Sequence, residues 1–128
     1  MRDLKYFLEL PDGSHRDESY INFSEAEKIL REMDWKDLSN LKEDPTHSPF
    51  ILFLDPEESF FMVLPKTQGL LISCRVMDKW NLLGMLEKQK AYTLNYGVLD
   101  VDDTLRLLRL FYEDNYPSMR ALEKIMAL

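Results

Sequence analysis

Phe50-Ile51-Leu52-Phe53-Leu54-Asp55-Pro56-Glu57-Glu58-Ser59-Phe60-Phe61-Met62-Val63-Leu64-Pro65-Lys66-Thr67-Gln68-Gly69-Leu70-Leu71-Ile72-Ser73-Cys74-Arg75-Val76 is the stretch on which the fold turns. Phe50 to Leu54, Ser59 to Leu64 and Leu70 to Val76 are runs of strand length, separated by the turn formers Asp55-Pro56-Glu57-Glu58 and Pro65-Lys66-Thr67-Gln68-Gly69. Connections this short predict antiparallel hairpins, because parallel neighbours need a crossover of about a dozen residues or more. Phe50 to Leu54 and Phe60 to Leu64 are apolar at every position, so both faces of those strands want cover. Helices on both faces are the favoured arrangement, since exposed apolar patches on monomers are small. The alternative is that one face is a contact surface.

Upstream, Leu4, Tyr6 and Leu8 alternate with Lys5, Phe7 and Glu9, which predicts a first strand ending at Pro11-Asp12-Gly13. Tyr20, Ile21 and Phe23 suggest a second, short strand. Ser24-Glu25-Ala26-Glu27 reads as a capping box that opens a helix running to about Met33, with Ala26, Ile29, Leu30 and Met33 on its buried face. Residues 34–49 contain Asn40, Asp44, Pro45, Thr46, His47, Ser48 and Pro49 and read as a loop, with room for a helical turn around Trp35 to Leu38.

Downstream, Trp80-Asn81-Leu82-Leu83-Gly84 reads as a bend or brief helix. Lys90 to Tyr96 reads as a strand closed by Gly97, with Tyr92, Leu94 and Tyr96 on one face. Asp100-Val101-Asp102-Asp103-Thr104 sets carboxylates at the start of a helical pattern, where they cap free N–H groups and favour the positive end of the helix dipole. Val101, Leu105, Leu108 and Tyr112 define its buried stripe, widened by Leu107 and Phe111. Asn115-Tyr116-Pro117 ends that helix, and Pro117 opens a last one through about Ala127. The pattern predicts a single α+β domain over residues 1–128, an antiparallel β-sheet meander of about four to six strands packed with about three α-helices.

Charge is distributed unevenly along this domain. Residues 1–64 carry 15 acidic against 7 basic side chains, residues 65–128 carry 8 against 9, and the net charge of −7 arises in the first half. Summed charge of this sign steers basic partners inward and repels nucleic acid and anionic membrane. The single cysteine, Cys74, rules out an intramolecular disulfide and suits a reducing compartment, which makes the cytoplasm the expected location. Met1-Arg2-Asp3-Leu4-Lys5 lacks the apolar stretch of a secretory signal, and no apolar run approaches the ~20 residues of a membrane-spanning helix.

The chemistry-bearing residues do not form a catalytic pattern. Nucleophilic hydrolysis needs a base beside the nucleophile, and the only imidazoles, His15 and His47, fall in turn-rich polar segments where solvation is the expected state. Cys74 shares a strand face with Leu70, Ile72 and Val76, the setting of a buried, inert thiol. One cysteine and two separated histidines give no zinc spacing. Asp100, Asp102 and Asp103 lack the glycine and distal glutamate of a calcium loop. Four glycines include no phosphate-cradling motif. Asp17/Glu18, Glu43/Asp44 and Glu57/Glu58 are adjacent acids without an environment that separates their pKa values, so no glycosidase pair is indicated. No metal, no cofactor and no enzymatic activity are expected.

The acidic loops remain: Asp12, Asp17 and Glu18; Glu43 and Asp44; Asp55, Glu57 and Glu58. Gathered on one side, with Tyr20 and Trp35 as aromatic anchors, they would form an anionic docking surface for a basic protein. The small acidic chain, its strand-rich middle and the helix Val101-Asp102-Asp103-Thr104-Leu105-Arg106-Leu107-Leu108-Arg109-Leu110-Phe111-Tyr112 together resemble, over residues 49–113, the small bacterial immunity proteins of contact-dependent inhibition and polymorphic toxin systems. The resemblance implies a cytoplasmic α+β inhibitor that covers the active site or substrate groove of a toxin domain, often a basic nuclease. It transfers no individual functional residue. The competing expectation is a small-ligand or regulatory module with a pocket between sheet and helices, and either monomer or homodimer fits the sequence.

Overall fold

The computed structural model describes residues 2–9, 15–33, 50–57, 59–66, 68–82 and 86–126. Its strands are β1 (Leu4–Glu9), β2 (His15–Ile21), β3 (Phe50–Leu54), β4 (Phe60–Lys66), β5 (Gly69–Leu82) and β6 (Leu86–Leu99); its helices are α1 (Phe23–Glu32), α2 (Val101–Tyr112) and α3 (Tyr116–Met126). The strands form one antiparallel sheet in the order β2-β1-β3-β4-β5-β6, so the expected α+β architecture is present. The chain leaves β2 at the sheet edge, runs through α1 and re-enters at β3 on the far side of β1. From β3 to β6 it is a simple meander.

Register sorts the side chains onto two faces. Across the middle, Tyr6, Phe53, Phe61, Cys74 and Leu94 stand in one row and Leu8, Ile51, Val63 and Ile72 in the next. All of these are buried, and they join Ala26 and Leu30 of α1, Leu105, Leu107, Leu108, Phe111 and Tyr112 of α2, and Tyr116 and Met119 of α3 in one core. Ring contacts carry the seam: Phe53 lies 6.3 Å from Tyr112, and Phe61 5.8 Å from Phe111. Tyrosine hydroxyls tie the layers together, Tyr96 donating to the Met119 carbonyl at 2.7 Å and Tyr112 to that of Ile21 at 3.1 Å. All the described helices therefore pack on one face of the sheet, and helical cover of both faces is not found among the described residues.

Several local expectations are corrected. The capping box of α1 is Asn22 with Glu25, not Ser24 with Glu27: the Asn22 side chain accepts from the Glu25 N–H at 2.8 Å and Glu25 reaches back to the Asn22 N–H at 3.3 Å. Phe23 accordingly opens the helix instead of closing a strand. His15 is the first residue of β2, opposite Glu9, because pairing with β1 supports a polar stretch as strand whatever its propensity. For the same reason Trp80-Asn81-Leu82 continues β5, paired with Lys88, Glu87 and Leu86, where a bend was expected.

Gly97 does not close its strand but lies inside β6, where φ is +78° and the register shifts between Ile72 and Ser73. Ile72 pairs with Gly97 and Ser73 with Asn95, so Tyr96 is the extra residue that reverses the alternation. Tyr96 itself is buried, whereas beyond Gly97 Val98 is 45% exposed and Leu99 packs against the core. The Asp100 cap of α2 accepts from the Asp103 N–H at 2.8 Å, as its sequence predicts, and Asp114, at φ 60°, takes the left-handed position that ends the helix before α3. The expected loop at residues 34–49 lies outside the described residues.

Candidate functional site

The residues that alternate with the core side chains build the site. On the second sheet face the register sets Phe7, Leu52, Met62, Ser73 and Asn95 in one row and Lys5, Leu54, Phe60, Arg75 and Thr93 in the next. Phe50 lies opposite Glu9, and Leu64 opposite Leu71 and then Val98. Phe7, Phe50, Leu52, Leu54, Phe60, Met62, Leu64 and Leu71 are each partly accessible, and none belongs to the core cluster. Phe7 and Phe50 stack at 5.8 Å. Charge and polarity come at the ends of the rows: Lys5, Arg75, Thr93 and Asn95 are exposed. A contiguous apolar surface inside a polar rim is the anatomy of a protein-binding face.

Tyr20 stands at one corner of this face. Its neighbour Ile21 is buried opposite Leu4, so Tyr20 points the other way and is 65% exposed. It lines a hollow of about 290 Å³ with Lys5, Leu54, Asp55 and Pro56. Glu57 is exposed in the adjoining turn. An aromatic ring beside an apolar hollow is a natural anchor point.

Asp55 departs from its expected role as a surface acid, since its side chain is only 1% exposed. One carboxylate oxygen accepts from the backbone N–H groups of Glu57 at 2.9 Å and Ser59 at 2.8 Å. The other accepts from the Arg2 guanidinium at 3.1 Å and the Tyr116 hydroxyl at 2.8 Å. Arg2 also donates to the Phe111 carbonyl at 2.8 Å and lies over the Phe111 and Tyr116 rings, 5.3 and 5.8 Å from their centroids. Burial alone would weaken the Arg2 charge, but the Tyr116 hydrogen bond and the carboxylates of Asp55 and Asp114 outweigh it and raise its pKa. Burial likewise raises that of Tyr116. With its lone pairs taken, Asp55 is a structural hub and not a base.

A hollow of about 490 Å³ beside this hub is lined by Arg2, Arg109, Tyr112, Glu113 and Asp114, but its charges are matched internally, Arg109 to Glu113 at 3.3 Å and Arg2 to Asp114 at 3.9 Å. Cys74 is fully buried and its thiol pKa is pushed up to about 12 by that burial. No group of three metal-ligating side chains occurs among the described residues.

Of the residues singled out in the sequence, the structure therefore brings Tyr20 and Glu57 to the surface around the β3–β4 turn and buries Asp55 beneath them. The backbones of Asp17 and Glu18 lie in β2 opposite Phe7 and Tyr6. Asp12, Trp35, Glu43, Asp44 and Glu58 lie outside the described residues, as does His47. Sequence reasoning passed over Arg2 and Tyr116, whose pairing with Asp55 spans 53 and 61 positions and leaves no local signal. From the unbroken apolar runs the sequence favours helical cover of both faces, with a contact surface on one face as the alternative; among the described residues only one face has helical cover. Comparison with known protein families, curated proteins and solved structures finds no match to this chain. No helix among the described residues is long and apolar enough to cross a membrane.

Proposed function

We propose that this chain is a non-enzymatic binding protein of the immunity kind, which neutralises a basic toxin domain, of nuclease type, by covering its active site or substrate groove, and that it docks through the second sheet face with Tyr20 at the corner. The observation that carries this reading is the apolar surface from Phe7 through Leu52 and Met62 to Leu71, over which no described helix lies. A surface of this kind is costly to leave in water and is retained where a partner covers it. The acidic balance of the first half supports the same reading, since it speeds encounter with a basic domain while the apolar face supplies the affinity. The ligand-module alternative has less support. Between sheet and helices, the described space is filled by Tyr6, Phe53, Phe61, Phe111 and Tyr112, and the hollows found lie at the surface.

The test is co-expression with basic nuclease domains of polymorphic toxins, followed by titration of the purified pair. The chain is expected to restore growth and to inhibit nucleic-acid cleavage at equimolar ratio. Met62→Asp, which buries nothing in the core, should keep the circular dichroism spectrum and weaken inhibition by about a hundredfold, the scale of a central contact in an interface. Unchanged inhibition by Met62→Asp removes the face from the reading. Failure to inhibit any such domain removes the toxin.

A further inference from the structure

β6 is the last strand of the sheet, so the N–H and C=O groups on its far side have no strand partner among the described residues. Which residues these are follows from two hydrogen bonds. The Asn95 N–H is accepted by the Glu123 carboxylate of α3 at 2.6 Å, away from β5. The Met77 N–H is accepted by the Ser59 hydroxyl at 2.9 Å, away from β6, and Met77 stands opposite Ala91. Antiparallel pairing alternates inward and outward groups, so Ala91 and Thr93, and Gln89 by the same parity, point their backbone groups out of the sheet. Ala91 and Thr93 are both exposed. Glu123 caps the edge at Asn95, and among the described residues nothing caps it from Thr93 toward Gln89. Fourteen residues is long for an edge strand, and natural proteins commonly cover, shorten or charge such edges.

We propose that this edge pairs with the same edge of a second copy, β6 against β6 antiparallel about a twofold axis at Ala91. The side chains select that register. A twofold antiparallel pair must place residues of equal parity opposite each other, because opposed side chains share a face. Centred on Ala91, Lys90 meets Tyr92 of the second copy and Thr93 meets its Gln89, while the small alanines stand at the axis. A cation over the Tyr92 ring is a contact the chain already makes, with Lys90 at 5.1 Å and Arg120 at 3.8 Å from the centroid. One step back, centred on Gln89, Lys88 would oppose Lys90 twice. Centred on Lys90, that lysine would oppose itself. Because Glu123 already holds the Asn95 N–H, the ladder stops short of Asn95 in either direction: centred on Ala91 it keeps three outward-facing pairs, whereas one step forward, centred on Tyr92, it keeps only two. The lysines thus act against two of the alternative registers, and the Glu123 cap shortens the third. This pairing leaves the second sheet face uncovered, so it is independent of the toxin reading.

Sedimentation equilibrium across a wide concentration range tests it, with an expected mass twice the 15.2 kDa of the chain. Ala91→Pro removes an outward N–H that no described monomer contact uses. Edge strands tolerate proline at such a position. It should give a monomer with an unchanged dichroism spectrum. Should that variant fold poorly, Ala91→Cys decides: opposed residues in such a pair sit about 5.5 Å apart between Cα atoms, within disulfide reach. Oxidation should therefore crosslink it nearly completely, while exposed Lys66→Cys on β4 stays at background. Three results overturn the proposal. They are a wild-type monomer at every concentration, a dimer that persists in Ala91→Pro, or crosslinking of Ala91→Cys no greater than that of the control. A wild-type monomer that loses its toxin partner on Ala91→Pro assigns the edge to an extended strand of that partner instead.

Discussion

Leu52 and Phe53 are neighbours on β3, both large and apolar, and they meet opposite surroundings. Phe53 is 0% exposed and packs against Tyr6, Phe61 and Tyr112, whereas Leu52 sits in the partly open row with Phe7 and Met62. Hydrophobicity alone does not separate the two faces of this sheet. What separates them is the set of polar ties that accompany the core side: hydroxyls of Tyr96, Tyr112 and Tyr116 reach the Met119 carbonyl, the Ile21 carbonyl and the Asp55 carboxylate. Each directional bond fixes a helix or turn to one place. The second face presents rows of apolar side chains, and contact of that kind suits a surface that is covered reversibly.

The comparison is broken or sharpened most strongly on β3 itself. Phe53→Ala is expected to cost about 4 kcal/mol in urea unfolding, through lost burial and the cavity it leaves, whereas Leu52→Ala costs the isolated chain less than about 1.5 kcal/mol. Equal losses would mean that the second face is as solidly packed as the first. Asp55→Ala should cost about 3 kcal/mol, because it strands the Tyr116 hydroxyl, the Arg2 guanidinium and two backbone N–H groups at once.

Gly69→Ala should cost about 2 kcal/mol: its φ is +152°, and a Cβ there would stand 2.7 Å from the Leu99 carbonyl oxygen. Gly97→Ala, at φ +78° with open space around it, should cost about 1 kcal/mol by backbone strain alone. If that substitution also buries Val98, the bulge is what assigns residues 98 and 99 to their faces.

The core side also holds protons. Burial raises the pKa of Cys74, Tyr96, Tyr112 and Tyr116, so these groups stay protonated in the fold when the unfolded chain has begun to release theirs. Their contribution to stability is complete below the unfolded values, about 8.5 for cysteine and about 10 for tyrosine, and is lost as pH rises above them. Denaturant unfolding from neutral to alkaline pH should show a decline of about 1.4 kcal/mol per pH unit for each group deprotonated only when unfolded. Tyr112→Phe should make the decline shallower. A flat profile would place these hydroxyls in water.

Much of this was legible in the chain. Pro56 and Gly69 announce the hairpins, and the alternation of Leu4, Tyr6 and Leu8 gives the buried face of β1 directly. The start of α1 was displaced by two residues because Asn22/Glu25 and Ser24/Glu27 offer the same acceptor-and-acid spacing, and only the backbone decides between them. Asp55 was misread because a turn of Asp-Pro-Glu-Glu looks solvated, while its burial depends on Arg2 and Tyr116 from distant parts of the chain. The sequence also held the doubly apolar strands that mark the second face, but which face the helices take is a tertiary outcome.

The Arg2 clamp has a consequence for the order of assembly. Its contacts with Phe111 and Tyr116 close loops of 109 and 114 positions, among the longest this chain allows, and loops of that length form only after nearer contacts have drawn their ends together. The hairpins and helices must stand before the guanidinium finds its place between the rings. The clamp is thus a late lock on a finished molecule, and its strength is felt in how slowly the fold comes apart more than in how quickly it forms.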